Sequence, residues 1–167
     1  LMGLISNGTT IFDAGSMAAG TGGSMVFIKK VTASSSATID FLNGTSDVVF
    51  DDTYKEYLFT FNDIHPATDS VYFQFQVDTG TNTNWNQTIT STQFQPYHTE
   101  SNSATGFSYS TADDQAQGTA FQFISNTLGS DNDQNMNGTL HLFAPSSTTF
   151  VKHFMAESNV AQNSDYS

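Results

Sequence analysis

Five consecutive polar residues, Asp131 to Asn135, present side-chain oxygens at alternate positions, as the first half of a calcium-binding loop does. The pattern then departs from such a loop. Met136 stands where the loop requires glycine, and Leu142 stands where it requires a carboxylate that binds the ion through both oxygens. We therefore interpret the segment as a polar β-turn, with a calcium site as the alternative, and we predict no cofactor.

Two of the four histidines, His141 and His153, lie in two apolar runs that we predict to form a terminal hairpin. Their side chains face each other across that hairpin if its turn centres on Ser147. A zinc site needs three or four ligands, so Glu157 or Glu100 would have to complete it. We predict that the two histidines are cross-strand polar partners and that the chain holds no metal.

Residues of the types found in hydrolytic sites are numerous but show no selective arrangement. No serine lies in the Gly-x-Ser-x-Gly pattern of a nucleophile elbow. A glycosidase needs two carboxylates on either side of a sugar. The candidates Asp63, Asp69 and Asp78 fall near predicted strand ends, and no local pattern selects a pair. We predict that the chain is not an enzyme.

Trp85 is the only tryptophan, and it lies in a polar loop of Asn and Thr residues. Its ring and that of Tyr97 are our candidates for stacking on a sugar, because neighbouring amides can bind the hydroxyl groups. The alternative is that Trp85 packs against the edge of the fold. The sequence thus allows a contact with a host-surface glycan at Trp85 and Tyr97.

The charge balance excludes several classes of partner. The 167 residues include 16 Asp and Glu against 4 Lys and Arg, which gives a net charge of −12. Nucleic acid requires the opposite sign, so we predict no nucleic-acid binding. No run approaches the roughly 20 apolar residues of a membrane span, and we predict no membrane insertion. The first residues lack the basic and apolar regions of a signal peptide.

The predicted fold is organised around Tyr54 to Asp78, where two aromatic runs flank a break at His65-Pro66. Proline cannot donate a ladder hydrogen bond, so the break is a connection. Apolar and polar residues alternate in both runs, which indicates strands with one buried face. The positions predicted to be buried are Tyr57, Phe59, Phe61, Val71, Phe73, Phe75 and Val77. We predict that the two runs pair with each other as a core hairpin.

Further short strands are predicted along the chain, with turn residues between them. They lie at residues 25–33, 37–42, 48–50, 86–97, 119–127, 138–144 and 149–157. Residues 98–117 are expected to cross the surface, with Phe107 and Tyr109 as anchors, and Phe121 and Phe123 are expected to point inward. No window has helical spacing, so we predict an all-β fold. The expected architecture is an antiparallel β-sandwich of jelly-roll or related Greek-key type, with an up-and-down barrel as the alternative.

The predicted organisation has three parts: an N-terminal arm at 1–24, a β-sandwich domain at 25–158 and a polar C-terminal tail at 159–167. The arm is rich in Gly, Ala, Ser and Thr, a composition typical of flexible segments. Its apolar residues are too few to form a core, so we expect them to dock on a neighbouring subunit or another virion protein, with a disordered tail as the alternative. These residues are Leu4, Ile5, Ile11 and Phe12.

Several runs of this sequence resemble those of uncharacterised structural proteins of marine tailed phages, including cyanophages and pelagiphages. The runs are GSMVFI from Gly23, TASSSATI from Thr32, YKEYLF from Tyr54, NDIHPATD from Asn62 and GTLHLFAPSSTTFVKHF from Gly138. The similar proteins are placed among tail-fibre-like and other virion components, and the shared runs include no catalytic motif.

The resemblance implies a virion structural protein, either tail-associated or a head-decoration component, made in the host cytoplasm and located in the virion. It implies other virion proteins as partners and a homo-oligomeric assembly. The absence of cysteine and the richness in Ser, Thr, Asn and Gly agree with this expectation. The alternative function is that of a carbohydrate-binding or host-surface adhesin module.

Overall fold

The computed structural model describes residues 4–6, 9–13, 16–17, 25–80 and 83–162. Among them are ten β-strands and no helix. The strands are β1 (Leu4–Ser6), β2 (Thr9–Asp13), β3 (Ser16–Met17), β4 (Glu56–Ile64), β5 (Gln74–Phe75), β6 (Phe94–His98), β7 (Thr105–Tyr109), β8 (Gln122–Phe123), β9 (Met136–Phe143) and β10 (His153–Val160). Every pairing between them is antiparallel. The predicted all-β class is confirmed, and the sheets have only two or three strands each.

The chain divides into two compact units, Leu1–Phe50 and Asp51–Ser167. In the first unit, β1, β2 and β3 form a three-stranded sheet in that order, with an irregular register between Leu4 and Ile5. Leu4 and Ile5 of the predicted arm lie in β1, and Ile11 and Phe12 lie in β2. The docking role assigned to these four side chains stays a prediction.

The predicted strands at 25–33 and 37–42 are wrong. Residues 25–50 are irregular, and their one described pairing is the isolated bridge between Thr45 and Val48. Met25 and Phe27 expose 75% and 79% of their surface, because no strand in the described part of the chain covers them. The chain turns at Asn43-Gly44: Gly44 has a φ of +79°, which glycine adopts readily, and its N–H donates to the Val48 carbonyl at 2.8 Å.

In the second unit, β10, β9 and β4 form a three-stranded sheet in that order. Glu56 of β4 pairs with Phe143 of β9, and the register continues to Phe61 opposite Gly138. One extra residue on β4 then makes a bulge, so that Ile64 lies opposite Met136. The predicted alternation on β4 is confirmed, since Tyr57 is buried and Phe59 and Phe61 are half-buried, whereas Leu58 and Thr60 are exposed.

The predicted terminal hairpin is confirmed as β9 and β10, which pair over eight residues. Its register places His153 opposite Phe143, and His141 opposite Met155. The expectation that the two histidines face each other is therefore wrong, because the turn centres on Thr148 and not on Ser147. His141 instead contacts Glu56 of β4 through Nδ1 and Oε1.

The predicted core hairpin within 54–78 is also wrong. Its second run contributes β5, which pairs with β8 and not with β4. The ladder at β5 is short because side chains take the neighbouring backbone donors. The Phe73 N–H donates to Ser125 Oγ at 2.8 Å, and the Val77 N–H donates to Gln76 Oε1 at 2.7 Å.

The hydrophobic core lies on the inner side of the β4–β9–β10 sheet. Its buried residues are Ile124, Leu128, Met136 and Leu140, and eight half-buried apolar side chains pack around them. The Phe61 and Phe73 rings meet edge to face at 4.9 Å between centroids, and the Phe75 and Phe154 rings do the same. These contacts join the three-stranded sheet to the β5 segment. Phe59 and Phe73, which were predicted to be core residues, pack as half-buried side chains around a buried cluster whose members were not predicted.

Candidate functional site

The β6–β7 hairpin exposes an apolar face to solvent. Phe94 pairs with Tyr109, and Pro96 pairs with Phe107, so these four side chains share one side of the hairpin. Phe94 is 58% exposed, Phe107 71% and Tyr109 44%. We call these four residues the aromatic surface. Phe107 and Tyr109, which the sequence predicted to be anchors, are thus on the outside.

The rings of the aromatic surface contact one another. The Phe94 and Phe107 rings are nearly parallel, with an interplanar angle of 10° and 5.8 Å between their centroids. The Tyr109 ring meets Phe94 edge to face at 5.5 Å. Because the rings support one another, they form a continuous apolar area even though no other element covers them.

The opposite side of this hairpin is half-buried and carries Gln95 and Tyr97. The Tyr97 ring crosses over Gly106, its partner on β7, and a Cβ atom at that position would lie 2.6 Å from the ring. Glycine is therefore needed at 106 for the ring to pack there. The aromatic surface lies on the other side of the hairpin from this contact.

A hydrogen bond links the aromatic surface to the loop that follows β7. The Tyr109 hydroxyl donates to Asp114 Oδ2, and this bond, together with partial desolvation and the Asp114 charge, raises the pKa of Tyr109 above its ordinary value. The Ser110 hydroxyl donates to Asp113 Oδ2 at 2.6 Å. Within the described residues neither carboxylate has a cationic partner, and neither Oδ1 accepts a hydrogen bond.

Asp113 and Asp114 form part of an open groove of about 370 Å³. Its lining combines two carboxylates, two amides, two phenyl rings and two alanine methyl groups. The residues are Gln74, Ala112, Asp113, Asp114, Gln115, Ala120, Phe121 and Phe123. Phe121 is 44% exposed, contrary to its predicted inward position, and Phe123 packs against the exposed Tyr72 at 4.5 Å between centroids. We call this feature the acidic groove.

Buried glutamines fix the walls of the acidic groove. Gln122 is 3% exposed, accepts a bond from the Ser91 hydroxyl at 2.6 Å and donates to the Asp113 carbonyl at 2.9 Å. Gln76 is 8% exposed and donates to the carbonyls of Gln87, Thr119 and Ala120. Neither residue could be identified from the sequence, because the alternation assigned both to solvent-facing positions. The buried Oε1 of Gln115 has no hydrogen-bond donor among the described residues.

A second exposed apolar feature lies at the turn between β9 and β10. Phe150 is 74% exposed and Val151 is 77% exposed. The backbone beside them is held in place: the N–H groups of Thr149 and Phe150 donate to Ser147 Oγ at 3.3 and 3.0 Å, and Lys152 Nζ binds the Ser147 carbonyl. We call Phe150 and Val151 the loop tip. On the outer side of the same sheet, Leu58 and Met155 are also exposed.

The two side chains predicted to contact a glycan, Trp85 and Tyr97, do not belong to the aromatic surface. Trp85 is half-buried with a φ of +50°, and its N–H donates to Asp78 Oδ2 at 3.1 Å. Burial raises the pKa of Asp78, but the backbone donors of Trp85, Thr79 and Asn84 outweigh it, so the pKa lies below its ordinary value. Tyr97 lies on the reverse side of the β6–β7 hairpin. A glycan contact at Trp85 or Tyr97 stays a prediction.

The segment at Asp131 to Asn135 is a turn. The Gln134 N–H donates to the Asp131 carbonyl at 2.9 Å, and Met136, which replaces the glycine of a calcium loop, is fully buried in the core. Asn135 Nδ2 binds Asp63 Oδ1 at 2.8 Å, which ties the turn to the bulge of β4. Across the described ranges, no three His, Asp or Glu side chains gather closely enough to hold a metal ion.

Comparisons with protein-family models, with curated proteins and with solved structures found no match to this chain. In the part of the chain that the structure describes, no helix has the length and apolar character needed to span a bilayer.

Proposed function

We propose that this chain is a non-enzymatic structural protein of a tailed-phage virion, either tail-associated or a head-decoration component, which acts through protein–protein assembly. The runs that resemble marine phage proteins support this proposal, and one of them contains both residues of the loop tip, most of β9 and the first two residues of β10. The partners are other virion proteins and further copies of the same chain. The protein is made in the host cytoplasm and is located in the virion.

The observation that carries the proposal is the loop tip. Phe150 is 74% exposed and the adjacent Val151 is 77% exposed, and contiguous exposed apolar side chains mark interaction sites on protein surfaces. The hydrogen bonds to Ser147 Oγ reduce the entropy that the loop would lose on binding. Phe150 and Val151 therefore have the character of an anchor that inserts into an apolar pocket of a partner.

The small sheets support the same proposal. β4 and β10 are the outer strands of their sheet, and an outer strand can pair with a strand of another chain. We propose that the sheets belong to an antiparallel sandwich of jelly-roll or Greek-key type, to which neighbouring chains contribute. The arm residues Leu4, Ile5, Ile11 and Phe12 are proposed to dock on a neighbouring subunit in that assembly.

Mass spectrometry of purified particles tests the proposed location. We expect the chain in a fixed stoichiometric amount relative to the major head and tail proteins. Its absence from particles would refute the virion assignment.

A double variant tests the loop tip. Phe150→Ser with Val151→Ser should keep the melting temperature and lower incorporation into particles by about ten-fold or more, because an anchor carries a large share of the binding free energy. Phe107→Ser is the matched control, since it removes an equally exposed phenyl ring from another surface. Equal loss in both variants, or no loss in either, would contradict an anchor at the loop tip.

A second candidate function is a carbohydrate-binding or host-surface adhesin module. The aromatic surface and the adjoining acidic groove favour it, because they combine exposed rings with acceptors for hydroxyl groups. This function is compatible with a place in the virion, and a direct saccharide-binding measurement tests it separately.

A further inference from the structure

We propose that the aromatic surface and the acidic groove form one continuous binding site for a neutral oligosaccharide. The proposal rests on the second candidate function and assigns it a ligand class and a place in the fold. Two observations support the continuity of the site. Tyr109 belongs to the aromatic surface, and its hydroxyl donates to Asp114, which lines the groove.

The chemistry of the two parts matches the two sides of a sugar ring. A pyranose has an apolar face of C–H groups and a rim of hydroxyl groups. The rings of Phe94 and Phe107 offer an apolar area of the kind on which C–H faces stack. Among the described residues, one oxygen of each groove carboxylate accepts no hydrogen bond, and a carboxylate accepts strong bonds from hydroxyl donors.

The neutral groups of the groove favour a hydroxyl-rich ligand over a cationic peptide. Gln74 and Gln115 line the groove beside the carboxylates, and an amide can both donate to and accept from a hydroxyl group. Among the described residues the Gln115 Oε1 atom has no donor, while its Nε2 donates to the Ala120 carbonyl at 3.0 Å. A cationic side chain can donate to the carboxylates and to the amide oxygens, but it has no acceptor for the amide N–H donors of Gln74, whereas a hydroxyl group can both donate and accept.

The negative charge of the chain and of the groove disfavours acidic occupants. The chain carries a net charge of −12, and the groove adds two unpaired carboxylates at the site itself. Uronate-rich or sulfated polysaccharides are repelled, and so is a second copy of the chain presenting the same groove. The groove volume of about 370 Å³ lies at the lower end for ligand pockets, so it holds one end of the ligand while the rest lies along the aromatic surface.

Isothermal titration and ligand-observed NMR on the full chain test the proposal. The probes are neutral tetrasaccharides of glucan, galactan, xylan and chitin type, an oligouronate as the acidic probe, and an arginine-containing peptide as the cationic one. We expect at least one neutral tetrasaccharide to bind, with no binding of the oligouronate. Failure of every neutral tetrasaccharide to bind, or preferential binding of the acidic or cationic probe, would overturn the proposal.

Variants locate the site. Phe107→Ser and Asp114→Asn should each weaken the binding of the neutral tetrasaccharide by about ten-fold, because each removes one main contact. Phe27→Ser and Asp133→Asn are the matched controls, which remove a similarly exposed ring and an equal charge elsewhere, and both should bind as the parent does. Binding that is unchanged in Phe107→Ser and Asp114→Asn would refute this site while leaving the virion assignment intact.

Discussion

The β4–β9–β10 sheet and the β6–β7 hairpin use the same residue types in the same alternation, with opposite results. On the sheet, the aromatic side chains of one face pack against a second layer, as in the Phe61–Phe73 and Phe75–Phe154 contacts. On the hairpin, the corresponding face carries Phe94 and Phe107, which contact each other and otherwise face solvent. The alternation therefore indicates which side chains share one face of a strand. Whether that face is buried in the core or exposed as a surface depends on the elements that pack against it.

The largest loss of stability is expected from a substitution in the core beside the β4–β9–β10 sheet. Leu140→Ala should lower the free energy of unfolding by about 2–5 kcal/mol, because Leu140 is only 6% exposed and its loss leaves a cavity. Chemical denaturation followed by circular dichroism measures the change. A shift of the midpoint no larger than that of Phe94→Ala would show that the core has been assigned to the wrong sheet.

A smaller loss is expected where β5 meets the core. Ser125→Ala should cost about 1–3 kcal/mol, since Ser125 is 1% exposed and its hydroxyl oxygen is the acceptor for the Phe73 N–H. Thermal unfolding compared with Ser101→Ala, a change at an exposed turn, isolates this contribution. If the two variants have the same melting temperature, the short β5–β8 ladder does not depend on this hydrogen bond.

The loop around Trp85 should respond to acid. The folded-state pKa of Asp78 lies below the ordinary value of 3.8, so its stabilising bonds are fully present above that value and are lost as the pH falls through the lower folded pKa. Trp85 fluorescence, titrated from about pH 6 to about pH 2, should change only below 3.8. Asp78→Asn should remove this transition, and Asp133→Asn should keep it. If both variants show the fluorescence transition, the transition reports global unfolding and not the titration of Asp78.

The smallest effect on stability is expected on the hairpin. Phe107→Ser should change the free energy of unfolding by less than about 0.5 kcal/mol, because the ring is 71% exposed and fills no cavity. The same denaturation experiment as for Leu140→Ala gives a direct comparison of the two regions. A loss as large as that of Leu140→Ala would mean that the aromatic surface is covered in the folded protein.

Local pattern was sufficient to predict the class of fold and the half-buried aromatic side chains around the core, but of the buried hydrophobic residues that the structure describes it identified only Tyr57. The alternation on β4 and the turn between β9 and β10 depend on neighbouring residues, and both were predicted correctly within one or two positions. The partner of β4 depends on residues far along the chain, so the sequence alone favoured the adjacent run and the core hairpin was wrong. The acidic groove was not predicted for a related reason. Gln76 and Gln122, which hold its walls, become buried only when carbonyl groups from distant parts of the chain come together around them.

The pairing of β4 with β9 also sets an order of events during synthesis. β9 and β10 are neighbours in the chain and can form their hairpin quickly, whereas β4 leaves the ribosome long before its partner β9 exists. During that interval its aromatic strand is at risk of pairing with other nascent chains. Acidic residues stand at both ends of the strand, Asp51 and Asp52 before it and Asp63 near its end. They serve as gatekeepers, because their charges oppose edge-to-edge aggregation until β9 arrives.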